Sequence, residues 1–333
     1  MWFLIIALIL APLAACAQDG AAWLGVMEDA DPNMVTTWAL TVDDVAGRTI
    51  TLPLRTGFDY DFTVDWGDGS TGAVTAYDDA DRIHEYTTTG AKTVKILGSM
   101  GAWYFNNGGD KLKFRTVESW GDVQFTGLGL VAAFYGCANA TYFADLPYMA
   151  VTTLCQTWCR CSSLTTAPDV DTLVLVTSLA FTWYGCSSLT TAPDVDTLVL
   201  VTSLRYAWYD CSSLTTAPDV DTLVLVTTLY RTWYDCSSLT TAPDVDTLVL
   251  VTMLYRTWGG CSSLTTAPLL PTSSTALVNT ISALNGVGSG MGGTVVDLWN
   301  ATNFPNVAAF TATFTGATGL TNYADIPDAW KGL

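Results

Sequence analysis

Paired carboxylates, a column of thiols and one histidine are the groups in this sequence that could do chemistry. Pro-Asp-Val-Asp-Thr occurs four times, giving Asp169/Asp171, Asp194/Asp196, Asp219/Asp221 and Asp244/Asp246. Carboxylate oxygens are calcium ligands, and stacked copies would align like charges, which is destabilising at close range. Calcium bridging these eight aspartates is one reading. In the other, one column is solvated and the second accepts from local backbone N–H groups. Cys161, Cys186, Cys211, Cys236 and Cys261 recur every 25 residues. They read as a ladder of small buried thiols, or as disulfides between adjacent coils, although five members of one column cannot all pair. Cys155 and Cys159 stand one helical turn apart and could bridge locally. CQTWCRC lacks the second ligand pair of a zinc site. His84 is the only histidine. With it, and with no arrangement of nucleophile, base and orienting partner, the chain reads as non-enzymatic, without catalytic residues and with no cofactor beyond that calcium.

These groups sit on a repeat. A fixed skeleton of Leu, then steps of +4, +3, +3 and +6, gives Leu154-Trp158-Cys161-Leu164-Val170, Leu179-Trp183-Cys186-Leu189-Val195 and the copies starting at Leu204, Leu229 and Leu254. Diverged copies start at Leu130, Leu277 and Phe310. The 4-then-3 step predicts a short helix presenting Leu, Trp and Cys on one face, with Thr177, Thr202, Thr227 and Thr252 as N-caps. LTTAP and DTLVLV, β-branched and bounded by proline, read as strands or strand-like turns. A unit this short cannot bury its own apolar face, so units must stack, each about 4.8 Å from the next.

The copies differ at a few places. Counting from each Leu, positions +1 and +2 hold Ala180-Phe181, Arg205-Tyr206, Tyr230-Arg231 and Tyr255-Arg256, and Tyr184, Tyr209 and Tyr234 follow the tryptophans. Variation amid copying marks freedom from the core. Phe181, Arg205, Tyr206, Tyr230, Arg231, Tyr255 and Arg256, with Tyr184, Tyr209 and Tyr234, are therefore expected to form an exposed ridge suited to ligand binding. Separately, Val174, Val199, Val224 and Val249 could form an exposed apolar stripe, the mark of an interface.

The repeat resembles the BspA-type leucine-rich repeat of bacterial surface proteins, with TWYGCSSLT and AWYDCSSLT in place of the usual Met-Phe form. The resemblance covers about residues 101–333, and implies an extracellular, non-catalytic solenoid used in adhesion or recognition. Upstream, ALTV, RTITLPL, YDFTVDWGD and KTVKI alternate as strands do. Val64-Asp65-Trp66-Gly67-Asp68-Gly69-Ser70, followed by His84, Tyr86 and Gly90, resembles the PKD-type Ig-like sandwich. There Trp66 would be core, Gly67-Asp68-Gly69 a tight turn, and His84 hydrogen-bonded to that turn.

The N-terminus, MWFLIIALILAPLAACAQDG, has a short apolar run shaped like a signal segment, though without Lys or Arg ahead of it. Leu13-Ala14-Ala15-Cys16 fits a lipobox that would acylate Cys16; Ala15-Cys16-Ala17 fits ordinary cleavage; an uncleaved hydrophobic helix is the third reading. A net charge of −18 argues against nucleic acid.

The expected class is a multidomain, β-rich chain. It divides into a signal or lipoprotein segment (1–18), a linker (19–33), a PKD-like β-sandwich (34–100), a solenoid N-terminal cap (101–129), a leucine-rich-repeat solenoid of about 25-residue strand and short-helix coils (130–268), and diverged repeats with a C-terminal cap (269–333). The expected function is adhesion or ligand recognition outside the cell, toward a surface protein or glycan of a host or neighbouring cell, with membrane contact only through a lipid anchor. A self-assembling fibre or sheath subunit and a phage-borne receptor-binding protein are the alternatives.

Overall fold

The computed structural model describes residues 31–333 apart from Gln124, Ser273, Val296, Asp297 and Ala301. The segment expected to carry export or lipidation, with Cys16, lies outside the described residues. The chain divides into Met1–Asp31 and one compact unit, Pro32–Leu333. Among the described residues, no helix is long and apolar enough to cross a membrane.

The unit is β-rich at its N-terminal end. Its main sheet has six strands: β1 (Met34–Leu40), β3 (Tyr60–Asp65), β4 (Thr71–Val74), β6 (Gly90–Met100), β7 (Phe114–Ser119) and β9 (Tyr142–Phe143), in the order β4-β3-β6-β1-β7-β9. The sheet is mixed, because β7 and β9 run parallel while the other pairs are antiparallel. Along β1, Met34, Thr36, Trp38 and Leu40 point inward and their neighbours outward, the period-2 pattern of a strand with one buried face. Two short strands, β2 (Thr49–Thr51) and β5 (Ile83–Glu85), form a separate antiparallel pair, and the helical turn α1 (Val45–Arg48) leads into β2.

The boundary expected at residue 100 is not a break. β1 pairs with β6 on one side and β7 on the other. The sheet thus crosses the segment assigned to a solenoid cap and reaches the first diverged copy through β9. The strands β8 (Thr126–Gly127) and β10 (Ala150–Val151) pair in parallel and begin the stacking.

Beyond them the chain runs as stacked coils. Parallel single-residue bridges link Thr166 to Thr191, Thr191 to Thr216, Thr216 to Thr241 and Thr241 to Thr266, and a second series runs from Ser178 through Ser203 and Thr228 to Met253. Like residues therefore lie on like. The tryptophans of the copied segments form one fully buried column, with ring centroids 5.8, 5.3, 5.7 and 5.8 Å apart and planes within 9° of parallel. Their indole Nε1 atoms have no hydrogen-bond partner. The column is closed by Phe143 and Phe134 before Trp158, and the last coil is closed by the short helix α2 (Asp328–Lys331), whose Trp330 stacks on Phe310 at 4.5 Å.

The coils do not contain the expected helix; of the two readings for the other segments, LTTAP keeps single parallel bridges and DTLVLV takes turns. Every second N–H leaves its own coil: Leu179 N donates to Ser203 O, Phe181 N to Arg205 O, Trp183 N to Ala207 O and Gly185 N to Tyr209 O, at 3.1, 3.0, 2.9 and 2.7 Å. Of the groups between them, Thr182 N and Tyr184 N close i→i+3 turns on Leu179 O and Phe181 O, and Ala180 N donates to Ser178 Oγ. An α-helix would spend all these donors within the coil. Positive φ at Phe181, Tyr206, Arg231 and Arg256 (60°, 55°, 53° and 52°) also breaks any helical run. Accordingly Thr177, Thr202, Thr227 and Thr252 are not N-caps; their hydroxyls donate to the preceding coil at Thr152, Thr177, Thr202 and Thr227 O. DTLVLV is likewise two consecutive turns, with Leu198 N on Val195 O and Val201 N on Leu198 O.

The thiols are part of this cross-coil bonding. All eight cysteines among the described residues are free, so neither inter-coil disulfides nor a Cys155–Cys159 bridge forms. Sγ of Cys186, Cys211, Cys236 and Cys261 donates to the tryptophan carbonyl of the preceding coil at 3.1, 3.1, 3.0 and 2.9 Å. The buried threonines at +3 act similarly: Thr182 Oγ1 lies 3.0 Å from Leu154 O and 2.8 Å from Leu179 O. At this position one copy carries Ala207 instead.

Two outcomes follow for stability. Trp208→Ala should lose about 3–5 kcal/mol in denaturant unfolding, and Trp208→Phe, which deletes an unpaired N–H along with ring area, clearly less. Ala207→Thr should gain about 1 kcal/mol by restoring the missing hydroxyl bond to Leu179 O.

Candidate functional site

The residues singled out as a ridge do come together, and the turn geometry is what displays them. Position +2 of each coil sits in the left-handed region, between two inward residues, Leu at 0 and Thr or Ala at +3. Its side chain is turned away from the core. Position +6 is also left-handed, and holds Gly185, Asp210, Asp235 and Gly260, residue types that tolerate that conformation.

Two aromatic columns result. In one, Phe181 stacks on Tyr206 at 4.6 Å, Tyr206 meets Tyr230 tilted at 5.2 Å, and Tyr230 stacks on Tyr255 at 4.9 Å. In the other, Tyr184, Tyr209 and Tyr234 stack at 4.6 and 5.2 Å. The first column changes position between the coils of Tyr206 and Tyr230, where Arg-Tyr becomes Tyr-Arg. That exchange sets Arg205 5.1 Å from the Tyr230 ring and Arg231 5.7 Å from the Tyr206 ring. Arg256 lies over Tyr234 and Tyr255. These are cation–π distances.

The ridge is less exposed than its sequence variation suggests. Rings cover one another's faces, so the tyrosines are half-buried and offer mainly edges and hydroxyls, while Arg205 is exposed. Burial pushes the Tyr209 phenol up, reinforced by Tyr184. It does the same to Tyr230, which also shares a hydrogen bond with Tyr206. These phenols are thus neutral donors near pH 7. Among the described residues, no salt bridge involves Arg160, Arg205, Arg231 or Arg256, and Arg231 Nε is buried without a hydrogen-bond partner.

Sequence reasoning missed the end of the ridge. A depression of about 280 Å³ is bounded by Tyr135, Gln156, Arg160, Phe181, Tyr184 and Arg231, with Cys159, Tyr206 and Tyr209 completing its wall. A neighbouring one of about 510 Å³ shares Arg160 and Tyr184 and continues past Ser162, Asn107 and Lys111. Tyr135 is position +5 of the diverged copy at Leu130, and Gln156 and Arg160 are +2 and +6 of the copy at Leu154. The same counting that found the ridge, extended upstream, reaches them.

The aspartate pairs divide between two roles. Oδ1 of Asp169, Asp194 and Asp219 accepts from the N–H of Asp171, Asp196 and Asp221 at 2.8, 3.1 and 2.9 Å. Asp244 turns instead to Leu269 N at 2.8 Å. The first member of each pair is thus occupied by backbone, and Asp246, like Asp196, is exposed. Asp171, Asp194 and Asp196 bring one carboxylate oxygen each to within 4.8 Å of one another, fewer donors than the six to eight oxygens calcium takes. Partial burial, then Asp169, Asp194 and Asp196, raise the Asp171 carboxyl.

The apolar columns are exposed and broader than expected. Val174, Val199, Val224 and Val249 are 42–51% exposed, and Leu175, Leu200, Leu225 and Leu250 beside them 38–45%. A strand would have turned one of each pair inward. The turn at this corner turns both outward.

His84 is a structural residue. Its Nε2 lies 2.8 Å from Asp68 Oδ2, and its ring stacks on Trp66 at 5.0 Å. Trp66 is buried, and its carbonyl accepts from Tyr86 Oη at 2.8 Å. Gly67, at φ 78°, has room for no side chain, since a Cβ would lie 2.4 Å from Thr93 O.

Burial pushes every thiol in the column well up, and the Cys159 thiol up to about 12, so they are neutral and unreactive. Cys186, Cys211, Cys236 and Cys261 should therefore remain unmodified by a maleimide at pH 8 until guanidinium unfolds the chain, as read by mass spectrometry. The bond from Ser70, with that from His84, holds the Asp68 carboxyl down to about 2. Its stabilising contribution is complete above the unfolded value of 3.8 and is lost as pH falls toward 2. Asp68→Asn should flatten that part of the acid-unfolding curve. A chelator should leave the melting temperature unchanged, because the first aspartate of each pair is already bonded to backbone. Compared with protein-family models, curated proteins and solved structures, the chain matches none.

Proposed function

We propose that the chain is a non-enzymatic recognition protein of the cell exterior, which holds its target along the aromatic and arginine ridge. On this reading the stacked coils are a leucine-rich-repeat solenoid of the BspA type, and the β-sheet unit in front is a PKD-like, Ig-type module serving as spacer. One observation carries the proposal. The ridge arginines lie against aromatic rings and, among the described residues, form no salt bridge, in a chain whose net charge is −18. Arginine and tyrosine are the residue types that dominate binding hot spots, and copying has conserved everything beneath them while these positions change. The target is a surface protein or glycan of a host or neighbouring cell, and anchoring would come through lipidated Cys16.

The apolar stripe favours a second reading, a structural subunit that self-associates into a fibre or sheath. Eight exposed valines and leucines lie side by side over four coils, the kind of continuous patch that marks interfaces. The aspartate columns a few residues away work against it, because a second copy would bring like charges together.

The test is binding of the labelled full chain to an array of glycans and matrix proteins. The triple variant Tyr206→Ser, Arg231→Ser, Tyr255→Ser should lose at least about tenfold in signal on whatever the wild type binds, the loss expected when hot-spot residues are removed. An unchanged array pattern overturns the ridge reading. Sedimentation velocity separates the second reading: recognition leaves one species across concentration, whereas self-assembly gives a growing series that Leu200→Asp and Leu225→Asp abolish.

A further inference from the structure

The aromatic columns stop at one coil, and the place where they stop has the makings of a subsite. Within the ladder each ring face is taken by the ring of the next coil. On the upstream side of Phe181 and Tyr184 the coil supplies Gln156 at +2 and Cys159 at +5 instead of rings. The upstream faces of Phe181 and Tyr184 therefore border the depression of about 280 Å³, with Tyr135 across it.

The space also has charge. Arg160, exposed, reaches over Tyr184 with its guanidinium carbon 5.8 Å from the ring centroid. Arg231 borders the same depression and carries the buried, unpartnered Nε. Among the described residues neither forms a salt bridge, although Arg231 also bonds the Tyr255 hydroxyl and lies in the field of Asp235. A flat apolar wall beside two planar guanidinium groups, Arg160 exposed and Arg231 with an unpartnered Nε, suits a ligand with one apolar face and one carboxylate at its edge.

We propose that Phe181, Tyr184, Arg160 and Arg231 form a subsite for a carboxylated pyranose, a uronate-type sugar residue within an acidic glycan. The C–H face of the sugar lies on the ring wall, and its carboxylate meets the guanidinium groups. The adjoining depression of about 510 Å³ carries Ser162 and Asn107 for hydroxyl groups, but also the Asp210 carboxylate, and its Lys111 is already bonded to Asn107, so the carboxylate contact falls to Arg160 and Arg231. The proposal rests on the ridge being a recognition surface, and adds the ligand class and the end at which it enters.

The ladder itself supplies a blocking variant. Position +2 already accepts tyrosine at a left-handed φ of 55° in Tyr206, and Gln156 has φ 60°. Gln156→Tyr should extend the column by one ring, cover Phe181 and close the space without unfolding the coil. Arg160→Met keeps the aliphatic stem and removes the charge. The experiment is isothermal titration of the full chain with trigalacturonic acid and, separately, with neutral maltotriose. The wild type should bind trigalacturonate and bind maltotriose at least tenfold more weakly. Gln156→Tyr, with an unchanged melting temperature, should lose at least tenfold for trigalacturonate. Arg160→Met should lose that preference for the acidic sugar. Equal binding of both sugars, binding of neither, or full binding by Gln156→Tyr overturns the subsite. The two readings fail separately: if the triple ridge variant loses its array targets while Gln156→Tyr keeps full trigalacturonate binding, the ridge stands and the subsite falls; if the triple variant keeps them, the ridge reading falls.

Discussion

Each coil must place its backbone donors on the carbonyls of the next. Leu179, Phe181, Trp183 and Gly185 give their N–H groups to the following coil, and their counterparts in the next copy do the same. Buried backbone groups left unpaired are costly, so the register between coils is set to one residue. Everything inside follows: tryptophan over tryptophan, and thiol beneath tryptophan carbonyl. A copied sequence is the simplest way to meet such a constraint, because a side chain that fits its twin fits at every level.

The same constraint explains where variety is allowed. A side chain at +1 or +2 touches its vertical neighbours, its partners along the ridge and water, so it can change if those neighbours tolerate it. The changes are not random in effect. Exchanging Arg205-Tyr206 for Tyr230-Arg231 in the next copy interleaves cation and ring. Leaving Gln156 and Cys159 in the copy before Phe181 ends both columns beside two shallow depressions. The composition of this surface thus varies by substitutions that leave the Leu, Trp and Cys spine untouched.

Stacking like on like also aligns like charges, and the aspartate pairs show how that cost is contained. Asp169, Asp194 and Asp219 are committed to backbone N–H groups, while Asp196 and Asp246 are exposed to solvent. Thr197, Thr222 and Thr247 add hydroxyl bonds to the Asp171, Asp196 and Asp221 carbonyls of the coil before. The histidine and aspartate of the sheet unit likewise serve a turn, with Asp68 bonded to Ser70 and His84 around Gly67 and Gly69.

The sequence by itself determined the period, the inward residues and the membership of the ridge, because a core that repeats must be written in repeating letters. Leu, Trp, Cys and Val at fixed steps could be nothing but the inside of a stack, and the variable +1, +2 and +6 positions could only be its outside. It could not determine the backbone path within a coil. Steps of 4 and 3 suit a helix when only intrachain partners are counted, yet here the partners of alternate N–H groups belong to the next coil, some 25 residues away. Nor could it show that Val174 and Leu175 both face out, that the sheet passes residue 100, or that Gln156 leaves a ring face uncovered. Those are matters of what stands above and below each residue, and only the stacked structure supplies that neighbour.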